Sequence, residues 1–324
     1  MNIEVDIKKY FELQKDTDHI NDIVDISVES HAYLPQVEDV KSDWLSFVSV
    51  PAFKIARKEN GKDFGSFLSL GTGSGLDVLA GAEILGAQTL GFTDLQKSVV
   101  DIARQNVEKG LKKSDNYNLL SGAGDLFAPF ANETEPENRP KFDVIYENLP
   151  NVPLADDKEV TDSRNSGHYL EKRVERIPDE VHADMLDLHY LALVQAGDYL
   201  TDNGFVFSLM GGRVPLSSFI RLGEQAGVKS EIYTYQWKVQ AEPEDVIGGY
   251  AQQEKEGFGP FIFYRAEDLE KAFEGVSVEE SGKKAFEIEK SLEDKRLTAT
   301  EAFEIWKNGG SIGHTVVVLK SHVG

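Results

Sequence analysis

Phe67-Leu-Ser-Leu-Gly-Thr-Gly-Ser-Gly-Leu-Asp-Val-Leu-Ala80 decides how the rest of this 324-residue chain is read. Phe67, Leu68 and Leu70 form the short apolar run of a strand buried on both faces of a parallel sheet. Gly71, Gly73 and Gly75 follow at alternate positions, and an apolar segment from Leu76 begins a helix. Glycines at that spacing allow backbone angles other residues avoid and remove the Cβ atoms that would hold a ligand away. The helix behind them offers free N–H groups and the positive end of its dipole. A strand, glycine loop and helix in that order make a nucleotide cradle. The dinucleotide pattern G-x-G-x-x-G does not fit, because Leu76 stands where its last glycine belongs. A phosphate-binding P-loop does not fit either, since no Lys follows the glycines. What remains is G-x-G-x-G, against a plain glycine-rich turn.

Outward from this stretch, strands and helices alternate from Phe64 to Val206, the signature of a doubly wound α/β sheet. The spacing predicts a helix over Leu76–Leu85 ending at Gly86, a strand at 89–93 ending in Asp94, and a helix over 97–108. Further strands are expected near 118–120, 142–146 and 204–209, with one long helix at about 179–200. Alternating Tyr233, Tyr235 and Trp237 mark a half-buried strand at 231–239, and Thr315–Leu319 reads as the last strand. The expected organisation is a helical N-terminal cap (1–62), a nucleotide-binding core (63–240), a lid or substrate insertion (241–312) and the final core strand (313–324). A long insertion beside a cofactor sheet is where lids and substrate sites are found.

Composition narrows the partners. The formal charge of −22, from 34 basic and 56 acidic residues, repels phosphate backbones and disfavours nucleic acid as a substrate. No apolar run reaches the roughly 20 residues a membrane span needs, and the N-terminus has no signal-peptide pattern. Cysteine is absent, which excludes disulfides, thiolate metal sites and a thiol nucleophile. A cytoplasmic protein acting on a small molecule is the expectation. His168, His182 and His189 do not make a metal site; the last two lie about two helical turns apart.

Leu70-Gly-Thr-Gly-Ser-Gly75 resembles motif I of the class I S-adenosylmethionine-dependent methyltransferases. The resemblance implies a Rossmann-like class I methyltransferase sheet and S-adenosylmethionine held by Gly71, Thr72, Gly73 and Gly75. Asp94 lies nineteen residues past Gly75, at the end of the second strand. A carboxylate there accepts hydrogen bonds from both ribose hydroxyls, the logic that places an acid after the second strand of dinucleotide folds. Leu95 beside it, and Gly124 with Asp125 after the third strand, complete the expected adenosine contacts, with Asp125 at the adenine amine. Asn148-Leu-Pro-Asn151 ends strand four, where the family carries Asn or Asp with Pro in enzymes that methylate nitrogen. Asn148 would orient the nucleophile's lone pair, which is catalysis by positioning. Leu149 and Asn151 depart from the family's Asn-Pro-Pro-Tyr. Motif I departs as well, because Ser69 stands where the family has an acid; Asp77 either compensates or complements the helix dipole. Tyr146, Tyr169, Tyr190 and Tyr235 are candidates to face the sulfonium through cation–π attraction.

A narrower stretch, Met210-Gly-Gly-Arg-Val-Pro-Leu-Ser-Ser-Phe-Ile-Arg-Leu222, is similar to the methyltransferase region of plant methionine S-methyltransferases. On that likeness Arg213 pairs bidentately with a carboxylate, of a small substrate or of the cofactor. The catalytic set expected is therefore Asn148, Tyr146, Tyr169 and Arg213, moving a methyl group to N or S of an amino-acid-like molecule. The same residues serve an alternative, in which the cofactor's own amine closes an azetidine-2-carboxylate ring and methylthioadenosine leaves. The third reading is a nucleotide-sensing scaffold without turnover.

Overall fold

The computed structural model describes residues 1–29, 33–131, 138–153, 167–168 and 175–324. The chain divides into two units: residues 1–149 with 194–207 and 323, and residues 150–193 with 208–322 and 324. The first unit begins with an antiparallel pair, β1 (Asn2–Asp6) and β2 (Ile23–Ser27), in which Val5 faces Val24 and Ile3 faces Ile26. The N-terminal segment expected as a helical cap thus carries two strands besides its helices, α1 (Ile7–Tyr10) and α2 (Val50–Asn60). A π-helical turn at Leu45–Ser49 leads into α2. Buried Asp43 fastens this segment, accepting hydrogen bonds from Tyr10 Oη at 2.8 Å and from the N–H groups of Gln36 and Ser46 at 2.9 Å.

The sheet of the first unit is parallel where β3 (Ser66–Leu70), β4 (Thr89–Asp94), β5 (Asn118–Ala123) and β6 (Phe142–Glu147) pair, in the order β6-β3-β4-β5. Every residue of β3 is buried, as a strand covered on both faces requires. The helices α3 (Leu76–Leu85) and α4 (Lys97–Gly110) connect these strands. Phe53 of α2 packs edge-on against Phe67 and Tyr146, with ring centroids 5.6 and 5.4 Å away, so the first helix after the N-terminal pair closes the core.

The second unit contains a short parallel pair, β7 (Val152–Pro153) with β8 (Gly167–His168). The helix expected across 179–200 is two helices, α5 (Asp179–Ala183) and α6 (Asp187–Ala196), followed by a 3-10 turn. Met185 breaks it, with φ at 55° in the left-handed region. His182 and Asp187 bridge the break through Nδ1 and Oδ1 at 2.7 Å. Then come β9 (Leu200–Gly212), whose last five residues lie in this unit, α7 (Leu216–Gln225) and β10 (Val228–Val239). The insertion holds α8 (Pro243–Glu256), β11 (Tyr264–Arg265), α9 (Ala266–Ala272), α10 (Val278–Ser291) and α11 (Ala299–Lys307). Glu254 of α8 accepts from the N–H groups of Ala299 and Thr300 at 2.9 and 3.1 Å, pinning the start of α11. The strand β12 (Ile312–Val323) follows, pairing with β10, β9 and β11. No helix among the described residues is long and apolar enough to cross a membrane.

Candidate functional site

The glycine loop sits at the carboxyl end of β3 and is tied to the end of β4. Gly71 and Thr72 donate their N–H groups to Thr93 O at 2.9 and 3.0 Å, and Gly73 N–H donates to Asp94 Oδ2 at 3.1 Å. Gly73 has a φ of 56°, and a Cβ built there meets nothing within 4 Å. Glycine is needed for the angle, and the space above it is open. Gly75 serves differently: a Cβ there would lie 3.0 Å from Ala103 O and Val107 Cγ2, so its hydrogen lets α3 start hard against α4. Asn106 of α4 braces the loop from behind, donating to Ser74 O at 2.9 Å and Ser27 O at 2.7 Å.

Asp94 is half-buried, and burial pushes its carboxyl up; the N–H groups of Gly73, Gln96 and Leu95 pull it back. Gly124 N–H donates to Asp94 O at 2.9 Å, which brings the Gly124-Asp125 turn to the same edge. Leu95 is 58% exposed, an apolar surface beside a carboxylate. From the other side, Leu70 of β3 pairs with Glu147 of β6, and Leu149 Cδ2 lies 3.2 Å from where a Gly71 Cβ would stand. Asn148 is half-buried and makes no hydrogen bond to a described residue. The fold therefore collects Gly71, Thr72, Gly73, Gly75, Asp94, Leu95, Gly124, Asp125 and Asn148 at the carboxyl ends of four neighbouring strands, where open α/β sheets bind ligands.

One acid is placed where the sequence left alternatives. Ser69 Oγ donates to Asp77 Oδ2, and Thr72 Oγ1 donates to Asp77 Oδ1 at 2.7 Å. Val78 N–H adds a third bond, at 2.8 Å. A carboxyl of α3 thus contacts the serine that stands at the acidic position of that motif, with both its oxygens bonded to the protein's own hydroxyls. Asp77 is 6% exposed, and burial pushes its carboxyl up to about 6 against the pull of those bonds. The signal in the sequence was an acid inside an otherwise apolar helix.

The aromatic candidates fare unevenly. Tyr146 is corrected from a catalytic to a packing residue: its ring stacks on Phe67 at 6.1 Å, meets Phe53 edge-on, and its Oη bonds Ser49 Oγ at 3.0 Å. The ring is 3% exposed, enclosed by these contacts. Tyr235 is also buried, packed on Phe273 at 5.3 Å in the second unit, while Tyr190 is half-buried on α6. Tyr169 lies outside the described residues. Asn151 donates Nδ2 to Met185 O at 3.0 Å. Arg213 belongs to the second unit, where it is buried beside Gln240 and His314.

No family model matches the chain. A curated relative, the release factor glutamine methyltransferase of Streptococcus pneumoniae, is 27% identical over 146 residues, 45% of this chain and 46% of its own length. The chain is similar to the class I S-adenosylmethionine-dependent methyltransferases. It spans about half the length of that relative. Among solved structures, the YcgJ protein of Bacillus subtilis is matched at a TM-score of 0.40 and 11% identity, over 84% of this chain and 97% of that one. A methyltransferase from Agrobacterium tumefaciens gives 0.40 and 14%, over 67% and 63%. A ribosomal protein L11 methylase from Lactobacillus delbrueckii gives 0.36 and 16%, over 68% and 93%. These matches do not show the likeness to methionine S-methyltransferases.

Proposed function

We propose that the chain is a methyltransferase that binds S-adenosylmethionine at this sheet edge and methylates nitrogen or sulfur of a small amino-acid-like molecule. The observation that carries the reading is the join between Gly73 N–H and Asp94, below open space, next to the strand end that carries Asn148. The bound cofactor supplies an electrophilic methyl group on a sulfonium. Asp94 accepts the ribose hydroxyls, Leu95 covers one face of the adenine, and Asp125 accepts from its amine. The backbone of Gly71–Gly75 lets the ligand approach to contact distance. Asn148 presents its side-chain carbonyl to the acceptor's N–H and aims the lone pair along the line of transfer. A thioether acceptor needs no base, whereas an ammonium acceptor must first lose a proton.

The relative that acts on glutamine favours nitrogen, and the surface charge favours a small acceptor over nucleic acid. No observation favours ring closure within the cofactor over transfer to an acceptor. The test is Asn148→Ala in the full chain. It is expected to keep cofactor affinity within about threefold and to lower kcat by roughly 100-fold, the scale of losing a positioning group. Loss of cofactor binding in that variant would remove Asn148 from the acceptor side.

A further inference from the structure

A second cavity of the first unit lies away from the glycine loop. Its volume is about 500 Å³, and its walls come from the chain after α1, from α2 and from the end of α3. The glycine loop leads into α3 at Leu76, whereas Ile84 of the cavity stands near the helix's other end, about 12 Å further along its axis. A cavity of this size takes a small molecule.

In a chain with 56 acidic and 34 basic residues, this cavity has the opposite bias. Lys15, Lys54, Arg57 and Lys58 line it. Its acids are mostly engaged elsewhere. Glu83 accepts the N–H groups of Asp18, His19 and Ile20 at 2.9, 2.8 and 3.2 Å. Asp16 pairs at 2.7 Å with Lys8, a residue outside the cavity. Among the described residues, Asp18 is left as the lining acid whose carboxylate is unbonded.

The cations are matched less well. Arg57 meets Asp63 at 2.5 Å, but Lys15, Lys54 and Lys58 form no ion pair among the described residues. Lys54 is half-buried, and its Nζ donates to the neutral carbonyl of Glu12 at 2.8 Å. Burial pushes its ammonium down, with the Glu12 charge pulling the other way. Arg57 and Lys58 complement the dipole in the last turn of α2. Lys54, a turn earlier, and Lys15, on another segment, have no such use. Lys54 and Lys58 also stand four apart on one helix face, where like charges repel.

Ammonium groups gathered around one cavity without carboxylates to meet them are neutralised by an anion that enters it. We propose that this cavity binds a small molecule carrying a diphosphate, its oxygens met by Lys15, Lys54 and Lys58, independently of the chemistry at the glycine loop. Lysines act on phosphate as compact point charges, and three of them suit a ligand with more than one negative charge.

Calorimetric titration of the full chain with inorganic pyrophosphate, inorganic phosphate and citrate tests this site. Pyrophosphate should bind about tenfold more tightly than phosphate, since it brings more charge to the same three cations. Uridine diphosphate separates the sources: tighter binding than pyrophosphate assigns a nucleotide ligand, and equal or weaker binding assigns the diphosphate alone. Lys15→Glu combined with Lys58→Glu changes two exposed residues, and pyrophosphate affinity should fall about tenfold or more. Lys54→Met keeps the apolar stem, drops the charge and should lower affinity in the same direction. Asp18→Asn should raise affinity about threefold, a gain that damage to the fold does not produce. A wild type that does not bind pyrophosphate overturns the inference, and so does an unchanged affinity in the Lys15→Glu, Lys58→Glu chain, which would place the anion elsewhere. Citrate binding as tightly as pyrophosphate overturns the phosphate assignment.

Discussion

The glycine loop has two sides that share residues but not character. Above it, Gly73 faces open space, Asp94 and Asn148 are half-buried, and Leu95 is exposed. Below it, Ser69, Asp77 and Tyr146 are sealed, and their polar atoms bond one another or Ser49. Two carboxyls a few residues from the same turn thus take different work. Asp94 keeps one side toward solvent and is held by backbone N–H groups; Asp77 is clamped by two hydroxyls inside the core. On the proposed reading the upper side receives the cofactor, while the lower side holds the shape of the loop. Substitutions above should change binding and leave stability alone; substitutions below should do the reverse.

The largest effect is expected at Gly73→Val. A branched side chain would fill the open space and is strained at a φ of 56°, and loss of about a thousandfold or more in cofactor affinity, measured by calorimetry, is expected (about 4 kcal/mol). Retained affinity would erase the distinction between the two sides. Asp77 comes next, and its signature is pH. Its carboxyl ionises at about 6 when folded, against 3.8 as the ordinary value. The folded state holds that proton more tightly, so ionising the group as pH rises from about 4 to 6 removes up to about 3 kcal/mol of stability. Asp77→Asn cannot ionise, so the wild type should lose stability relative to it across that window, in denaturant melts at each pH. A difference that stays flat with pH would contradict the sealed environment.

Asp94→Asn keeps the shape and removes the charge. Cofactor affinity should fall about tenfold, the scale of a charge-assisted hydrogen bond, with an unchanged melting temperature. A falling melting temperature would make Asp94 a helix cap only. The smallest effect belongs to Tyr146→Phe, which removes the bond to Ser49 and should cost about 1 kcal/mol of stability with turnover intact. Turnover lost without stability lost would return Tyr146 to the site.

The parallel half of the fold was legible because its signals are local. The helix expected over Leu76–Leu85 ends at Gly86 as read, with that glycine in the left-handed conformation that stops a helix. The strands around 66–70, 89–94 and 142–147 are short apolar runs, each followed by a polar turn. Two features were less legible. The β1–β2 pair hid in mixed apolar spacing, although Ile23-Val-Asp-Ile26 does alternate outside and inside. The break at Met185 has no Gly or Pro to announce it, and it is held by the His182–Asp187 bridge across it and by the bond from Asn151 to Met185 O. In the site, Gly71–Gly75, Asp94 and Asn148 were readable because the chain's order places them at successive strand ends. The hydroxyl clamp on Asp77 was not, because it depends on which side chains fold back onto a turn.

Mass spectrometry of the purified chain with S-adenosylmethionine, alone and then with methionine, glutamine and other small amino acids, tests the central claim most directly. The expected result is S-adenosylhomocysteine appearing only when an acceptor is present, together with an acceptor heavier by one methyl group. Methylthioadenosine released from the cofactor alone, above the rate without protein, would contradict it.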